Sequence, residues 1–250
     1  MPVIFVTGAT SGFGAATARL FARNGWKVIA TGRRTARLET LRDEFPAGQI
    51  HIATMDLTDK AAIQATVAGL PEDFRPVTCL FNNGGLALGS SPIPNHRAED
   101  WETMIETNIK GLINTTVAVL PLLKEAGAGA SIINVGSIAH RFAYAGGNVY
   151  GATKAFVHNF TENLRTDLGG SAIRVTALEP GMSKTEFTTV RTYGDDAANE
   201  KFYEGVEPIL PENIADIVWF IANQPPHINL NIVEVMPTAQ IPTRPTVVRS

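Results

Sequence analysis

The chain has 250 residues, 44% of them apolar, and a formal net charge of −3. That length suits one large α/β domain or two small ones, and the apolar share excludes a globally disordered chain. So mild a charge gives no electrostatic reason to expect a nucleic acid or an anionic membrane as partner.

Residues 3–7 open the chain as a β-rich run, too short for a signal-peptide core and leading straight into a glycine-rich turn. From there short β-rich runs alternate with longer helical patterns. Strands are expected at 3–7, 27–31, 50–54, 77–81, 131–135, 173–177 and 232–235, and helices at 13–24, 35–45, 60–69, 98–124, 149–168 and 211–223. Several strands are almost wholly apolar, as parallel strands covered on both faces are. In the longest helix Trp101, Ile105, Ile109, Leu112, Thr116 and Val119 recur at helical spacing. This alternation predicts a single Rossmann-type, doubly wound parallel sheet over residues 1–236 with helices on both faces, and an extended tail over 237–250. Segments 84–97, 141–147 and 181–205 lack periodicity and follow strands, where ligands bind in open α/β sheets; the last reads as a mobile lid. No stretch approaches the roughly 20 apolar residues of a membrane span. The lone Cys79 excludes an internal disulfide framework and a cysteine-only metal cluster. It reads as a buried strand thiol rather than a nucleophile. A reducing compartment, most simply the cytoplasm, is expected, and no metal site.

The first strand ends in Thr7-Gly8-Ala9-Thr10-Ser11-Gly12-Phe13-Gly14. A glycine turn entering a helix lets backbone N–H groups approach a pyrophosphate at the positive end of the helix dipole. The spacing is G-x-x-x-G-x-G, and no G-K-[ST] follows to make a nucleoside-triphosphate loop. Three glycines alone could be structural punctuation; a strand before them and an apolar helix after them favour dinucleotide binding. At the end of the second strand, Gly32 stands where an acid would take the ribose hydroxyls, and Arg33 and Arg34 follow. Guanidinium forks suit a phosphate monoester, so NADP(H) is expected rather than NAD. Otherwise the two arginines are solvated residues opening the next helix. Asp56 and Leu57 close the third strand, where an adenine edge would lie.

Tyr150 and Lys154 are one helical turn apart, with Ser137 thirteen residues before the tyrosine. The ammonium can favour the phenolate, and the serine hydroxyl can hold the same reacting oxygen, which suits general acid–base work. Each of these residues alone would be a cap or a surface side chain. Together, on the C-terminal side of a sheet that carries a dinucleotide turn, they read as catalytic.

With these residues assembled, the chain resembles the short-chain dehydrogenase/reductase family of roughly 250 residues, over essentially its whole length. The likeness rests on the glycine turn, Asp56, Asn82-Asn83-Gly84-Gly85, Asn108, Ser137, Tyr150-x-x-x-Lys154 and Pro180-Gly181 with Thr185. It implies seven parallel strands, hydride transfer at nicotinamide C4, and homotetramers or homodimers. Asn108 would hold a water in a proton relay, Ser137 would orient the carbonyl and Tyr150 would protonate it. Lys154 would lower the tyrosine pKa and bind the nicotinamide ribose. Asn83 and Gly85 would contact the cofactor beside the fourth strand, and the loop of Pro180, Gly181, Met182, Ser183 and Thr185 would cover the nicotinamide. Gly84 departs from the family's usual alanine and should loosen that turn.

Segments around Asn83–Gly89, Trp101–Ile105 and Ala143–Tyr150 are similar to the NADP-dependent 3-hydroxy acid dehydrogenases and to sulfoacetaldehyde reductases. That implies a small anionic hydroxy compound interconverted with its aldehyde or ketone, or the formation of isethionate. An arginine would hold the anion: Arg191 first, since it follows the cofactor loop, and Arg141 second, with Tyr144 beside the site. Arg249 in the tail could serve a neighbouring subunit. The loop Met182-Ser183-Lys184-Thr185-Glu186-Phe187 lacks a glycine that the subgroup carries, and this loop shapes the pocket. A bulkier ketone, or a non-catalytic NADP sensor or scaffold, is the competing reading.

Overall fold

Alternation along the first strand decides the architecture. In β1 (Val3–Val6), Val3 and Phe5 join one core and Ile4 and Val6 another, because successive strand side chains point to opposite faces. All four are buried, so both faces of the sheet must be covered. The computed structural model describes residues 1–89, 91–92 and 95–241. The other strands are β2 (Lys27–Gly32), β3 (Ile50–Thr54), β4 (Cys79–Asn82), β5 (Ser131–Val135), β6 (Arg174–Pro180) and β7 (Ile232–Val235). Seven parallel strands form one sheet in the order β3-β2-β1-β4-β5-β6-β7, the doubly wound arrangement that the alternation predicts.

One face carries α1 (Gly12–Arg23), α2 (Thr35–Asp43) and α9 (Pro211–Ala222). There the rings of Phe21, Trp26 and Trp219 meet edge to face, with centroids 4.9, 5.0 and 6.0 Å apart. The opposite face packs Phe5, Ile29, Leu80 and Ile132 under Ile63 of α3 (Lys60–Ala68) and Val119 and Leu123 of α5 (Leu112–Ala126). Between α4 (Ala98–Ile105) and α5 lies a π-helical turn, Glu106–Gly111, inside what periodicity reads as one helix. Such turns recur at functional sites, and this one carries Asn108. α6 (Asn148–Asp167) leads into β6.

Three expectations need correcting. β6 runs to Pro180, three residues beyond 177, because it stays paired with the edge strand β7 as far as Val235. The segment 181–205 is not irregular throughout: it holds α7 (Glu186–Arg191) and α8 (Asp196–Tyr203), too short to show a helical period. The tail begins with a turn, not an extended run, since Gln240 N–H donates to the Pro237 carbonyl (2.9 Å). Arg249 lies outside the described residues. Among the described residues no helix is long and apolar enough to cross a membrane.

The order reverses between β1 and β4, so the crevice of an open α/β sheet falls above their C-terminal ends.

Candidate active site

At that crevice the β1–α1 turn is tied to β4. Thr7 Oγ1 accepts the N–H groups of Asn83 (2.9 Å) and Gly84 (2.8 Å), and Asn83 Nδ2 donates to the Thr7 carbonyl (2.9 Å). Gly8 and Gly12 sit in the left-handed region, at φ +67° and +51°, which glycine adopts without strain. A methyl on Gly14 would lie 2.3 Å from the Gly8 carbonyl oxygen, so the bare residue lets α1 close on the turn. The α1 N-terminus has no acid in its first turn. Bare backbone at a helix start, free of negative charge, fits a dinucleotide pyrophosphate. Above it opens a cavity of about 1080 Å³, room for a dinucleotide and a small substrate together. Of the residues expected to bind the cofactor, Gly14 alone lies off the cavity wall. A methyl on Gly84 would meet Leu57 Cδ1 at 2.4 Å, so Leu57 fills the space that alanine would take and the turn is not loosened.

The arginine fork at the end of β2 is engaged. Arg34 donates to Thr10 Oγ1 (2.9 Å), Ser11 Oγ (2.8 Å) and Glu186 Oε2 (2.7 Å). Arg37 holds the other oxygen of Glu186 at 2.5 Å, and Arg33 lies 3.9 Å from Asp56. Burial pushes the Glu186 carboxyl up, but hydrogen bonds from Arg34 and Arg37 outweigh it and hold the group below its ordinary range. Arg37, three residues after the N-cap residue Arg34, was legible as a further cation beside it. Glu186 was not, because it lies 152 residues away.

Ser137, Tyr150 and Lys154 converge on the cavity floor, each less than a tenth exposed. Ser137 caps a 3₁₀ turn, Ile138–His140, and its Oγ accepts the Ala139 N–H (3.2 Å). Its hydroxyl proton is thereby left to a neighbour, and Tyr150 is in hydrogen-bonding reach. Lys154 Nζ donates to the Val135 carbonyl (2.8 Å) and lies 5.8 Å from the Tyr150 ring centre. Burial pushes the lysine down from 10.5 to about 8. Burial also pushes the Tyr150 phenol well above its ordinary value; the Ser137 hydrogen bond and the Arg191 charge oppose it, while Tyr144 adds to it. Asn108 faces inward from the π-helical turn. Its Oδ1 accepts from Leu86 N–H (2.9 Å), and its amide donates to the Leu86 carbonyl (2.8 Å) and Thr153 Oγ1 (3.1 Å). With both amide hydrogens engaged, this side chain fixes the Gly85–Leu86 backbone next to Lys154.

Beneath Ser137 lies a cluster that the sequence did not signal. Glu179, 1% exposed, accepts from His158 Nδ1 (2.6 Å) and lies 3.5 Å from His140 Nδ1. His140 Nδ1 is 2.8 Å from the Ser137 carbonyl, which can only accept, so that nitrogen carries hydrogen. The two imidazoles stack at 4.3 Å and 7°. These three side chains have metal-ligand chemistry, but stacked parallel rings cannot both aim a lone pair at one ion. The cluster is a hydrogen-bonded tie joining the serine turn, α6 and β6.

At the outer end, the Arg191 guanidinium lies 5.4 Å from the Tyr144 ring centre and 5.9 Å from that of Tyr150. Its carbonyl accepts from Gly89 N–H (3.0 Å). Among the described residues no carboxylate is paired with it. Phe187 packs 5.5 Å from the Tyr150 ring. Arg141 is not brought to the cavity: the 3₁₀ turn carries it outward to Glu234 of β7 (2.8 Å), over the Phe142 ring. Gln240, from the tail, accepts the Met182 N–H (2.8 Å) and lines the wall over the Pro180–Thr185 loop. No local pattern in the tail marks that contact.

A family model described as short chain dehydrogenase matches residues 2–195. A protein named sulfoacetaldehyde reductase 2, from Chromohalobacter salexigens, is 52% identical over 239 residues, covering 95% of each chain. A protein of Salmonella typhimurium named NADP-dependent 3-hydroxy acid dehydrogenase is 52% identical over 239 residues, covering 95% of this chain and 96% of its own. The closed form of a serine dehydrogenase complexed with NADP+ superimposes with a TM-score of 0.94 at 48% identity, over 99% of this chain and 100% of that one.

Proposed function

Because the chain belongs to the short chain dehydrogenase family, we propose that it is an NADP(H)-dependent oxidoreductase interconverting a small anionic hydroxy compound, of the 3-hydroxy acid type, with its aldehyde or ketone. The observation that carries the substrate class is Arg191: a guanidinium beside the rings of Tyr150 and Tyr144, with no carboxylate partner among the described residues. An anion two or three bonds from the reacting carbonyl would supply that partner.

When bound, NADPH supplies the hydride. Tyr150, kept protonated by burial, holds the proton destined for the carbonyl oxygen. Ser137, whose Oγ already accepts from Ala139, directs its hydroxyl at the same oxygen and stabilises the charge that grows there. Lys154 places an ammonium on the cavity wall next to Tyr150. Thr10, Ser11, Arg33 and Arg34 form a cationic, hydroxyl-lined wall suited to a 2′-phosphate. The 3-hydroxy acid and serine dehydrogenases among the relatives support a carboxylate as the anion. A sulfonate is the second reading, favoured by the 52% identity to a sulfoacetaldehyde reductase. Exposed Phe220 on α9 and Ile232 on the edge strand β7 support assembly as a homodimer or homotetramer.

The test is NADPH consumption with malonate and tartronate semialdehydes, sulfoacetaldehyde and uncharged aldehydes of matched length, with Tyr150→Phe as control. Turnover of the anionic aldehydes that Tyr150→Phe abolishes supports the proposal. Turnover confined to neutral aldehydes or bulky ketones refutes the substrate class, and cofactor binding with no turnover of any carbonyl refutes the enzyme.

A further inference from the structure

Glu186 stands where negative charge is least expected in an NADP site. Its two carboxylate oxygens lie 2.7 Å from Arg34, a guanidinium assigned above to the cofactor's phosphate, and 2.5 Å from Arg37 behind it. Arg34 turns its remaining donors to Thr10 and Ser11, two hydroxyls on the same cavity wall. The carboxylate therefore fills the anion position beside Arg34, whose other partners are hydroxyls. Its placement is set by the fold. Thr185 caps α7 by accepting the Phe187 N–H (3.1 Å), and a methyl on Gly12 would lie only 3.3 Å from Thr185 Cβ. The start of α7 thus rests on the glycine turn, and the next side chain reaches the arginines. Glu186, Arg34 and Arg37 are each between 43% and 48% exposed, so their pairing is weak enough for another anion to displace.

We propose that Glu186, anchored by Arg37, is a built-in anion that competes with the cofactor's 2′-phosphate for Arg34, and so sets how far the chain prefers NADPH over NADH; this rests on the cofactor assignment above. A phosphate monoester and a carboxylate cannot take the same guanidinium hydrogens, and they repel each other at contact distance. NADH brings no phosphate to that position and leaves the pairs intact. The exchange has a second consequence, because α7 begins at Glu186 and ends at Arg191. Phosphate at one end of this helix releases a tether on the element that presents the proposed substrate cation at the other.

The experiment is a titration of the full chain with NADPH and with NADH, for the parent, Glu186→Gln and Arg34→Ala. Glutamine keeps the side-chain volume and removes the charge. Glu186→Gln should tighten NADPH about two- to fivefold, the worth of one solvent-exposed ion pair, and leave NADH unchanged. NADPH affinity that is unchanged or weaker in Glu186→Gln overturns the proposal, since Glu186 would then be inert or orient the arginines. Arg34→Ala separates the two ideas. If it weakens NADPH and spares NADH, the cofactor assignment stands whatever Glu186→Gln does. If it weakens both equally, the assignment falls and the competition proposal falls with it.

Discussion

Lys154 is held against the interest of the fold, and that can be measured. It is 6% exposed, and its ammonium donates to one carbonyl, that of Val135. Burial lowers its pKa from 10.5 to about 8, which corresponds to about 3 kcal/mol at about 1.4 kcal/mol per tenfold change. The sign follows from which state binds the proton more tightly. The folded pKa is the lower, so the full cost is present below pH 8 and disappears as pH rises from 8 to 10.5, where the unfolded chain alone still holds the proton. Lys154→Met removes the charge and keeps most of the stem. It leaves the Val135 carbonyl without that donor, a loss of about 1 kcal/mol. The net gain near neutral pH is about 2 kcal/mol, or about 4–8 °C in melting temperature for a chain of this size. Thermal melts of both proteins across the alkaline range should show the variant ahead at neutral pH and the gap closing toward pH 10.5, while NADPH-dependent turnover is lost. A variant less stable at neutral pH, or a gap that does not change with pH, would refute the reasoning that a buried ammonium is retained here for function.

Tyr150→Phe should lower kcat about 10²- to 10⁴-fold, the usual share of general acid–base catalysis, without weakening NADPH in a direct titration. Because burial keeps Tyr150 protonated well past neutrality, carbonyl reduction should hold its rate across the neutral range while alcohol oxidation, which needs Tyr150 to accept a proton, climbs with pH. A flat oxidation profile in kcat/KM would contradict this assignment. Glu179→Ala removes the acceptor facing His158 and His140 and should cost about 1–3 kcal/mol; Glu179→Gln, which keeps an acceptor oxygen, should cost less, as urea melts would register.

Much of this was legible because the signals are local. The glycine turn, the apolar strands and the one-turn spacing of Tyr150 and Lys154 each lie within a short window, and each landed where its pattern put it. What the sequence hid is what depends on distant segments meeting. Glu186 reaches Arg34 only because α7 folds back onto the glycine turn, and Gln240 reaches Met182 only through the turn that follows β7. Arg141 looked like an anion holder from its place after the serine strand, yet one 3₁₀ turn carries it to Glu234. The stacked histidines were silent for a similar reason: His140, His158 and Glu179 sit on three different elements and no spacing rule links them. The contact of Lys154 with the Val135 carbonyl likewise needs β5 and α6 to meet.

The central claim is that Arg191 makes this cavity select small anionic carbonyls. The direct measurement is kcat/KM for malonate semialdehyde and for an uncharged aldehyde of the same length, in the parent and in Arg191→Ala. A cation facing one substrate charge in a partly buried site is worth about 1.5–3 kcal/mol. The preference for the anionic aldehyde should therefore fall by about tenfold to a hundredfold in the variant, carried by KM, with the neutral aldehyde unaffected. Equal losses on both aldehydes, or an unchanged preference, would contradict it.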